Sequence, residues 1–250
     1  MKTSVESLLS CRPLSKLGIL TKLILIASLS GILFYFSVEY WMLTWLAPIP
    51  LCIYVLETDV VLAIGAGFMA YTIGALHPSA VLPWRIYSET IIANGAAFSI
   101  ALSLFRDVTI RFKHWSTSFI FAGCWTVYEF ITSAFSSHGT VGSIAYTQAE
   151  NLPVIQIASI TGIAGVTFLL LLIPASISLA WYHRHDPKIW KKAVIIPAGL
   201  LFITVLFGHY RLGMPDENPK IKVGITAIAI NMEQYMSGVE SGSETGGKHA

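Results

Sequence analysis

Long apolar runs are the feature that most limits how this chain can fold. They lie at 17–37, 40–56, 60–76, 86–105, 116–135, 154–181 and 193–210. Each is close to the roughly 20 residues that a helix needs to cross the apolar core of a bilayer. Only 12% of the residues are charged, about half the share found in soluble domains. The pattern predicts an all-α membrane protein, a polytopic bundle of about seven transmembrane helices.

The basic residues between the runs predict an orientation. They concentrate in the N-terminal segment and in two connections: Lys2, Arg12 and Lys16; Arg106, Arg111 and Lys113; Arg184, Lys188, Lys191 and Lys192. The alternate connections hold Arg85 alone at 77–85 and no Lys or Arg at 136–153. Because basic connections stay in the cytoplasm, we expect residues 1–16 to be cytoplasmic. The 136–153 loop and the chain after Leu212 are expected on the other side.

The composition changes after the bundle, which we place at 17–212. Residues 213–220 are rich in Pro, Asp and Asn and are predicted to be a linker. The alternating pattern from Ile221 to Ile228 is typical of a β-strand, and one strand leaves its own edges unpaired. We therefore expect 221–236 to begin a sheet that is missing here or that a partner supplies. Residues 237–250, rich in Gly and Ser, are predicted to be disordered.

The stretch 124–174 holds most of the candidate site residues. An apolar run contains Glu129, and an ionisable residue at membrane depth is functional by default. A structural carboxyl near the helix end is an equally good interpretation. In the polar loop that follows, His138, Tyr146 and Gln148 are expected to line a lipid or substrate entrance. Glu89, in the fourth run, is a further candidate for the same cavity, although solvation at the interface is the more ordinary explanation.

Other kinds of site find little support in the sequence. Cys11, Cys52 and Cys124 lack the spacing of a zinc site or a disulfide framework. The loop has no Gly-x-Ser-x-Gly turn to make His138 part of a nucleophilic site. The formal net charge of +2 does not favour a nucleic-acid partner. We predict no metal and no cofactor.

The same stretch resembles a known family. Trp125, Glu129 and Phe130 match a Trp-x-x-x-Glu-(Phe/Trp) pattern. The segment 145–148 (AYTQ) resembles the family's Gly-Tyr-Ser-Gln, and 162–165 (GIAG) its Gly-x-x-Gly helix. The strongest similarity lies at 46–51 (LAPIPL) and 156–162 (QIASITG). On these motifs the chain resembles the apolipoprotein N-acyltransferases from about Tyr40 to Ile230. Thr132 departs from the pattern, because the family commonly has an Arg three residues after the Glu.

The resemblance implies a fold and an activity. Members are bacterial inner-membrane enzymes that transfer an acyl chain from phospholipid to the terminal diacylglyceryl-cysteine of a lipoprotein. Their catalytic Cys, Glu and Lys belong to a nitrilase-like α/β domain on the outer side, and the segment 221–230 looks like its opening strand. Those residues would lie beyond position 250, so we expect no catalytic residue in this chain and no activity from it alone.

Two interpretations remain open. The chain is the membrane domain of an N-acyltransferase, whether a truncated product, a fragment or half of a split enzyme. Alternatively, it is a non-enzymatic membrane protein that binds lipid or a partner protein. The expected partners are membrane phospholipid and, in the first case, a bacterial lipoprotein or a separately encoded nitrilase-like domain.

Overall fold

The computed structural model describes residues 16–77, 84–136 and 139–214, and within them every regular element is helical. The α-helices are α1 (Lys16–Phe36), α2 (Met42–Leu46), α3 (Pro48–Glu57), α4 (Val60–Ala75), α5 (Trp84–Phe112), α6 (Ser118–Phe135), α7 (Leu152–Ile155), α8 (Ala158–Tyr182) and α9 (Pro187–Leu212). Two short 3-10 helices cover Trp115–Thr117 and Ile144–Gln148. The predicted strand at 221–228, the tail at 237–250 and His138 lie outside the described residues.

These helices make seven passes through the bundle, because α2 with α3 and α7 with α8 each form one pass. Contacts at the two ends of the bundle show that successive passes run in opposite directions. At one end, the Lys22 Nζ donates to Glu57 Oε2 over 3.1 Å, and Arg106 Nε donates to the Thr58 carbonyl over 2.6 Å. At the other, His77 Nε2 lies 3.7 Å from Glu39 Oε1. The predicted all-α polytopic bundle is confirmed.

The helix bundle has two ends of different composition. The basic end comprises residues 57–58, 106–117 and 183–192. The loop end comprises residues 39–41, 77 and 139–148, where Gln148 Nε2 donates to the Trp41 carbonyl over 2.9 Å.

Helix α8 forms the centre of the bundle. It packs against α3, α6 and α9, and 61% of its most apolar stretch is buried, against 22% for α1 and for α9. The main apolar core joins α8 to α3, α4, α5 and α6, with Phe98, Phe105 and Phe121 fully enclosed. The exposed sides of α1 and α9 are rich in Leu, Ile, Val and Phe, as suits helices that face lipid.

Helix lengths agree with a membrane-spanning protein. By length and composition alone, four of the described helical stretches suffice to cross a membrane: Gly18–Phe36, Ser88–Phe112, Ala158–Tyr182 and Pro187–Leu212. Two shorter apolar helices cover Met42–Glu57 and Val60–Ala75.

Helix α5 continues beyond its predicted span of 86–105. Its 29 residues correspond to about 43 Å, more than the roughly 30 Å of a bilayer core. Its last turns therefore carry Arg106, Asp107 and Arg111 beyond the apolar layer without breaking the helix. Helix α9 likewise begins before the predicted residue 193. Its start is at Pro187, since Asp186 caps it by accepting the Lys188 backbone N–H over 3.0 Å.

Two spans that we predicted as single helices are interrupted. In the span 40–56, α2 and α3 meet at Ala47, where the backbone stays helical (φ −54°, ψ −42°) but hydrogen bonds are lost because Pro48 and Pro50 have no backbone N–H to donate. The span 154–181 becomes α7 and α8, and α8 itself is broken at Gly162, where φ is 67° and ψ is −175°. Hydropathy alone misses such breaks because the residues on both sides are apolar.

Small residues allow α1 and α4 to cross closely. An added Cβ on Gly31 would lie 2.6 Å from the Ile73 Cβ, and one on Gly74 would lie 2.6 Å from the Phe34 Cβ. Larger residues at these positions would push the helices apart, so this crossing depends on glycine.

Candidate binding cavity

A cavity of about 720 Å³ opens at the loop end of the bundle. Helices α1, α4, α5 and α6 form its walls, residues 139–147 cover one side, and Ile163 and Ala164 of α8 complete it. The volume is within the range of about 300–1,000 Å³ that ligand sites occupy. It is therefore large enough to hold a small molecule or part of a lipid.

Aromatic side chains form the inner wall. Phe98 is the centre of this group: its ring centroid lies 5.2 Å from that of Trp125 and 5.8 Å from that of Phe34. Tyr71 adds a ring 5.7 Å from Trp125. Edge-to-face and tilted arrangements are favourable for aromatic pairs. The wall is consequently well packed and apolar, and suits an apolar ligand.

Glu129 joins the walls of the cavity through four hydrogen bonds. Its Oε1 accepts from the indole Nε1 of Trp125 (3.0 Å) and from the backbone N of Ile144 (3.1 Å). Its Oε2 accepts from the hydroxyls of Ser143 (2.7 Å) and Thr167 (2.8 Å). One side chain on α6 thus holds both the loop and α8.

The bonds around Glu129 explain how a carboxylate is accommodated here. An ionised carboxylate only accepts hydrogen bonds and has about four acceptor sites, and all four are used. Thr132, which stands where the family commonly has an Arg, donates to the backbone carbonyls of Tyr128 and Glu129. In the described part of the chain, no cation lies within ion-pair distance of Glu129.

Further polar groups lie at the rim of the cavity and on its inner walls. The Tyr128 hydroxyl donates to Asn94 Oδ1 over 2.6 Å, which links α6 to α5. The hydroxyls of Thr140 and Tyr146 are 2.7 Å apart. Thr126 Oγ1 is buried and has no hydrogen-bond partner among the described residues, although Thr126 lines the cavity.

Gln148 fastens the end of the loop to α2. Its side chain has no exposed surface. The amide oxygen accepts from Trp45 Nε1 over 2.9 Å and from Asn151 Nδ2 over 3.0 Å, while the amide nitrogen donates to the Trp41 carbonyl. An amide side chain can accept and donate in this way without a charge.

The structure brings together some of the residues proposed from the sequence. Glu129 and Tyr146 line the cavity. Gln148 lies behind the loop and is not among the lining residues. Glu89 is on an exposed face of α5 and also does not line the cavity, although Asn94 of the same helix does. His138 falls outside the described residues.

Three residues at the cavity carry no clear signal in the sequence as site residues: Ser143, Thr167 and Thr126. Thr167 was the most visible, as a polar residue within an apolar run, and such residues in membrane helices usually bond across helices. Pairing it with Glu129 requires the α6–α8 contact, which is not visible in the sequence.

The described cysteines lie within the helices of the bundle. Cys52 is fully buried in α3 and Cys124 is partly buried in α6. In the described ranges, no three His, Cys, Asp or Glu side chains are grouped so as to hold a metal ion.

The fold and the cavity define a class: a multi-pass helical membrane protein with a partly polar binding cavity at one end of its bundle. Comparison with known proteins then gives the family. Residues 29–176 match the family described as the apolipoprotein N-acyltransferase N-terminal domain. This match covers more than half of the chain, which therefore belongs to that family. Every residue that lines the cavity falls within it.

One relative is similar over a shorter stretch. The chain is 34% identical over 95 residues to the apolipoprotein N-acyltransferase of Geobacter metallireducens. The matched stretch is 37% of this chain and 18% of that protein. No solved structure matches the chain.

Proposed function

We propose that this chain forms the membrane domain of an apolipoprotein N-acyltransferase. In that reaction the acyl chain leaves its ester in a membrane phospholipid and forms an amide with the terminal amine of a lipoprotein's diacylglyceryl-cysteine. The observation that carries the proposal is the cavity at the loop end, which lies entirely within the family match. We assign it to an acyl chain of the lipid substrate.

The chemistry of the cavity supports a lipid occupant. Phe34, Phe98 and Trp125 offer an apolar wall, where each buried CH₂ group of an acyl chain contributes about 0.8 kcal/mol. Apolar walls with few polar groups are the usual composition of a site for such a molecule.

Glu129 has a positioning role in this proposal. Because its two oxygens already accept four hydrogen bonds, it has no free acceptor site for a substrate proton. It holds the loop against α6 and α8 and so maintains the shape of the entrance. Tyr146, bonded to Thr140 at the rim, is the exposed residue that an entering lipid meets.

The acyl-transfer chemistry requires residues from a nitrilase-like domain. Cys52 has no exposed surface, whereas a nucleophilic thiolate must be reached by its substrate and by a base. We propose that the Cys, Glu and Lys of such a domain act above the loop end, either in the same polypeptide or in a separately encoded one. The segment from Ile221 is proposed as the first strand of that domain.

The proposed location is the bacterial inner membrane. The basic end faces the cytoplasm together with the N-terminus, as the distribution of Lys and Arg supports. The loop end and the C-terminus then face the periplasm, where the lipoprotein substrate is modified.

The test uses a phospholipid with a photoreactive group at the end of one acyl chain. The purified chain is reconstituted in vesicles containing this lipid and illuminated, and labelled residues are identified by mass spectrometry. Phe98 and Ile91 line the cavity but are only 2% and 6% exposed, so surrounding lipid does not reach them. We expect label at both, because an acyl chain enters the cavity.

Two variants sharpen this test. Ala164→Trp fills the cavity and should abolish label at Phe98. The control Ile195→Trp, on the exposed side of α9, should leave that label unchanged. Label confined to exposed residues such as Phe202 would show that the cavity holds no acyl chain.

A second measurement separates the acyltransferase from a non-enzymatic lipid-binding protein. The chain is combined with a separately produced nitrilase-like domain, and acyl transfer to a diacylglyceryl-cysteine peptide is followed by mass. The proposed function requires transfer that Ala164→Trp suppresses. Cavity labelling without any transfer would favour the non-enzymatic alternative.

A further inference from the structure

The basic end of the bundle carries a cluster of exposed cations away from the cavity. Its members lie after α5 and around the α8–α9 connection: Lys113, Arg184, Lys188, Lys191 and Lys192, all exposed. None of these five forms an ion pair with an acidic side chain of the described residues. Asp186 is the one carboxylate between 183 and 192, and it caps α9 through the Lys188 backbone N–H.

The two connections that carry these cations lie side by side. The 3-10 helix Trp115–Thr117 contacts both α8 and α9. Burial lowers the pKa of His183 below its ordinary value, and it outweighs the opposite effect of Asp186. The charge of nearby Lys113 lowers this pKa further. We therefore do not count His183 among the cations at neutral pH.

Lys113 occupies a backbone conformation that usually requires glycine. Its φ is 46°, and it is the one non-glycine residue with positive φ in the described ranges. A residue just after a helix C-terminus is often left-handed, but there glycine avoids the steric cost. A lysine at this position ends α5 and adds a cation next to the α8–α9 connection.

Two tryptophans lie next to neighbouring cations at the basic end. The Arg184 guanidinium lies 5.2 Å from the Trp181 ring, and Lys191 Nζ lies 5.8 Å from the Trp190 ring. Tryptophan prefers the boundary between the apolar core and the headgroups. Both cations are thus placed at the level where lipid phosphates lie.

We propose that Lys113, Arg184, Lys188, Lys191 and Lys192 form a binding surface for the headgroup of an anionic phospholipid. This surface is at the opposite end from the cavity, and the proposal does not depend on acyl transfer. Guanidinium and ammonium groups bind phosphate oxygens by charge-assisted hydrogen bonds. A surface of five cations without acidic partners favours a lipid whose headgroup is anionic over a zwitterionic one.

The experiment measures lipid retention by the purified full-length chain in a neutral detergent. Phosphatidylglycerol and phosphatidylcholine are added in turn, and bound lipid is quantified by native mass spectrometry. We expect preferential retention of phosphatidylglycerol. Attraction by charge alone would act through any exposed cation, so a comparison of cations at the two ends is needed to locate the site.

A matched pair of variants locates the site. Arg184→Gln should weaken phosphatidylglycerol retention roughly fivefold, the effect expected for one cation near a headgroup. Arg211→Gln removes the same charge from the exposed last turn of α9 at the opposite end and should change nothing. Arg184→Lys keeps the charge and should retain most of the binding, which excludes loss of the fold as the cause.

Three results would overturn the proposal. One is equal retention of the two lipids, and another is equal weakening by Arg184→Gln and Arg211→Gln. The third is displacement of phosphatidylglycerol by inorganic phosphate at constant ionic strength, which would identify a site for free phosphate and not for a lipid.

Discussion

Glu129 is stabilised in an apolar helix by four hydrogen bonds, and no cation of the described residues forms an ion pair with it. A buried donor left without a partner costs about 1–3 kcal/mol, and this carboxylate satisfies two N–H groups, those of Trp125 and Ile144. The two hydroxyl partners, Ser143 and Thr167, are 3.2 Å apart and can bond to each other if Glu129 is lost. The two N–H groups lack that alternative, so they determine the cost of substitution.

The first prediction compares three substitutions. Glu129→Ala should lower the free energy of unfolding by about 2 kcal/mol, because the two N–H groups lose their acceptor. Glu129→Gln should cost less, since its amide oxygen can face the N–H groups and its amide nitrogen can donate to the hydroxyls after they rotate. Glu89→Ala, at an exposed site on α5, is the control and should stay within about 0.5 kcal/mol.

Thermal unfolding in detergent measures all three variants, and proteolysis within 139–148 reports the release of the loop. If Glu129→Ala were as stable and as protease-resistant as Glu89→Ala, the carboxylate would not hold the loop.

Among the helices, the break in α8 has the clearest structural consequence. Gly162 has φ 67° and ψ −175°, a region that is essentially restricted to glycine. The break separates a first turn, 158–161, from the long helix that follows. It also brings Ile163 and Ala164 to the cavity. A straight helix over 154–181, as hydropathy predicts, would direct these residues differently.

The second prediction is that Gly162→Ala destabilises the protein by about 1–3 kcal/mol. A Cβ at Gly162 meets nothing within 4 Å, so the cost arises from the backbone conformation and not from crowding. Gly199→Ala is the matched control, because it also meets nothing within 4 Å but lies inside the regular helix α9. There alanine should be neutral or stabilising by up to about 1 kcal/mol. Melting temperatures that rise in both variants would contradict the strained conformation at Gly162.

At the scale of the whole molecule, the seven passes separate two chemically different ends. The loop end combines the cavity with the hydrogen-bond networks around Glu129 and Gln148. The basic end carries the cluster of five exposed cations. Since residues 141 and 188 lie at opposite ends, the bundle predicts that they are reached from opposite sides of the membrane.

The third prediction tests this arrangement in cells. In a variant with Cys11, Cys52 and Cys124 replaced by serine, a new cysteine is introduced at Val141, which is 75% exposed, or at Lys188. A membrane-impermeant thiol reagent added from outside, to cells with a permeabilised outer membrane, should label Val141→Cys and not Lys188→Cys. After lysis, both should react. Labelling of Lys188→Cys in intact cells would reverse the proposed orientation, and equal labelling of both would contradict the seven-pass arrangement.

The positions of several helices could be predicted from the sequence because they depend on the apolar residues of each segment alone. Hydropathy located α1 and α4 within one or two residues, since an apolar segment in lipid must satisfy its own backbone hydrogen bonds as a helix. The motif Trp125, Glu129 and Phe130 indicated the family, which the match over 29–176 confirms. The boundaries of α5 and α9 were less predictable, because a helix continues into water when its flanking residues tolerate it.

The composition and order of apolar and charged residues by themselves determined that this protein is a polytopic helical bundle, because lipid leaves the backbone few other choices. The cavity and the hydrogen-bond donors to Glu129 are visible only in the tertiary structure. Its donors come from α6, the loop and α8 across separations of 4 to 38 residues, and such contacts exist only once the helices have packed. Likewise, sequence patterns indicated polar residues such as Gln148, but packing decided that it crosslinks the loop to α2 behind the cavity.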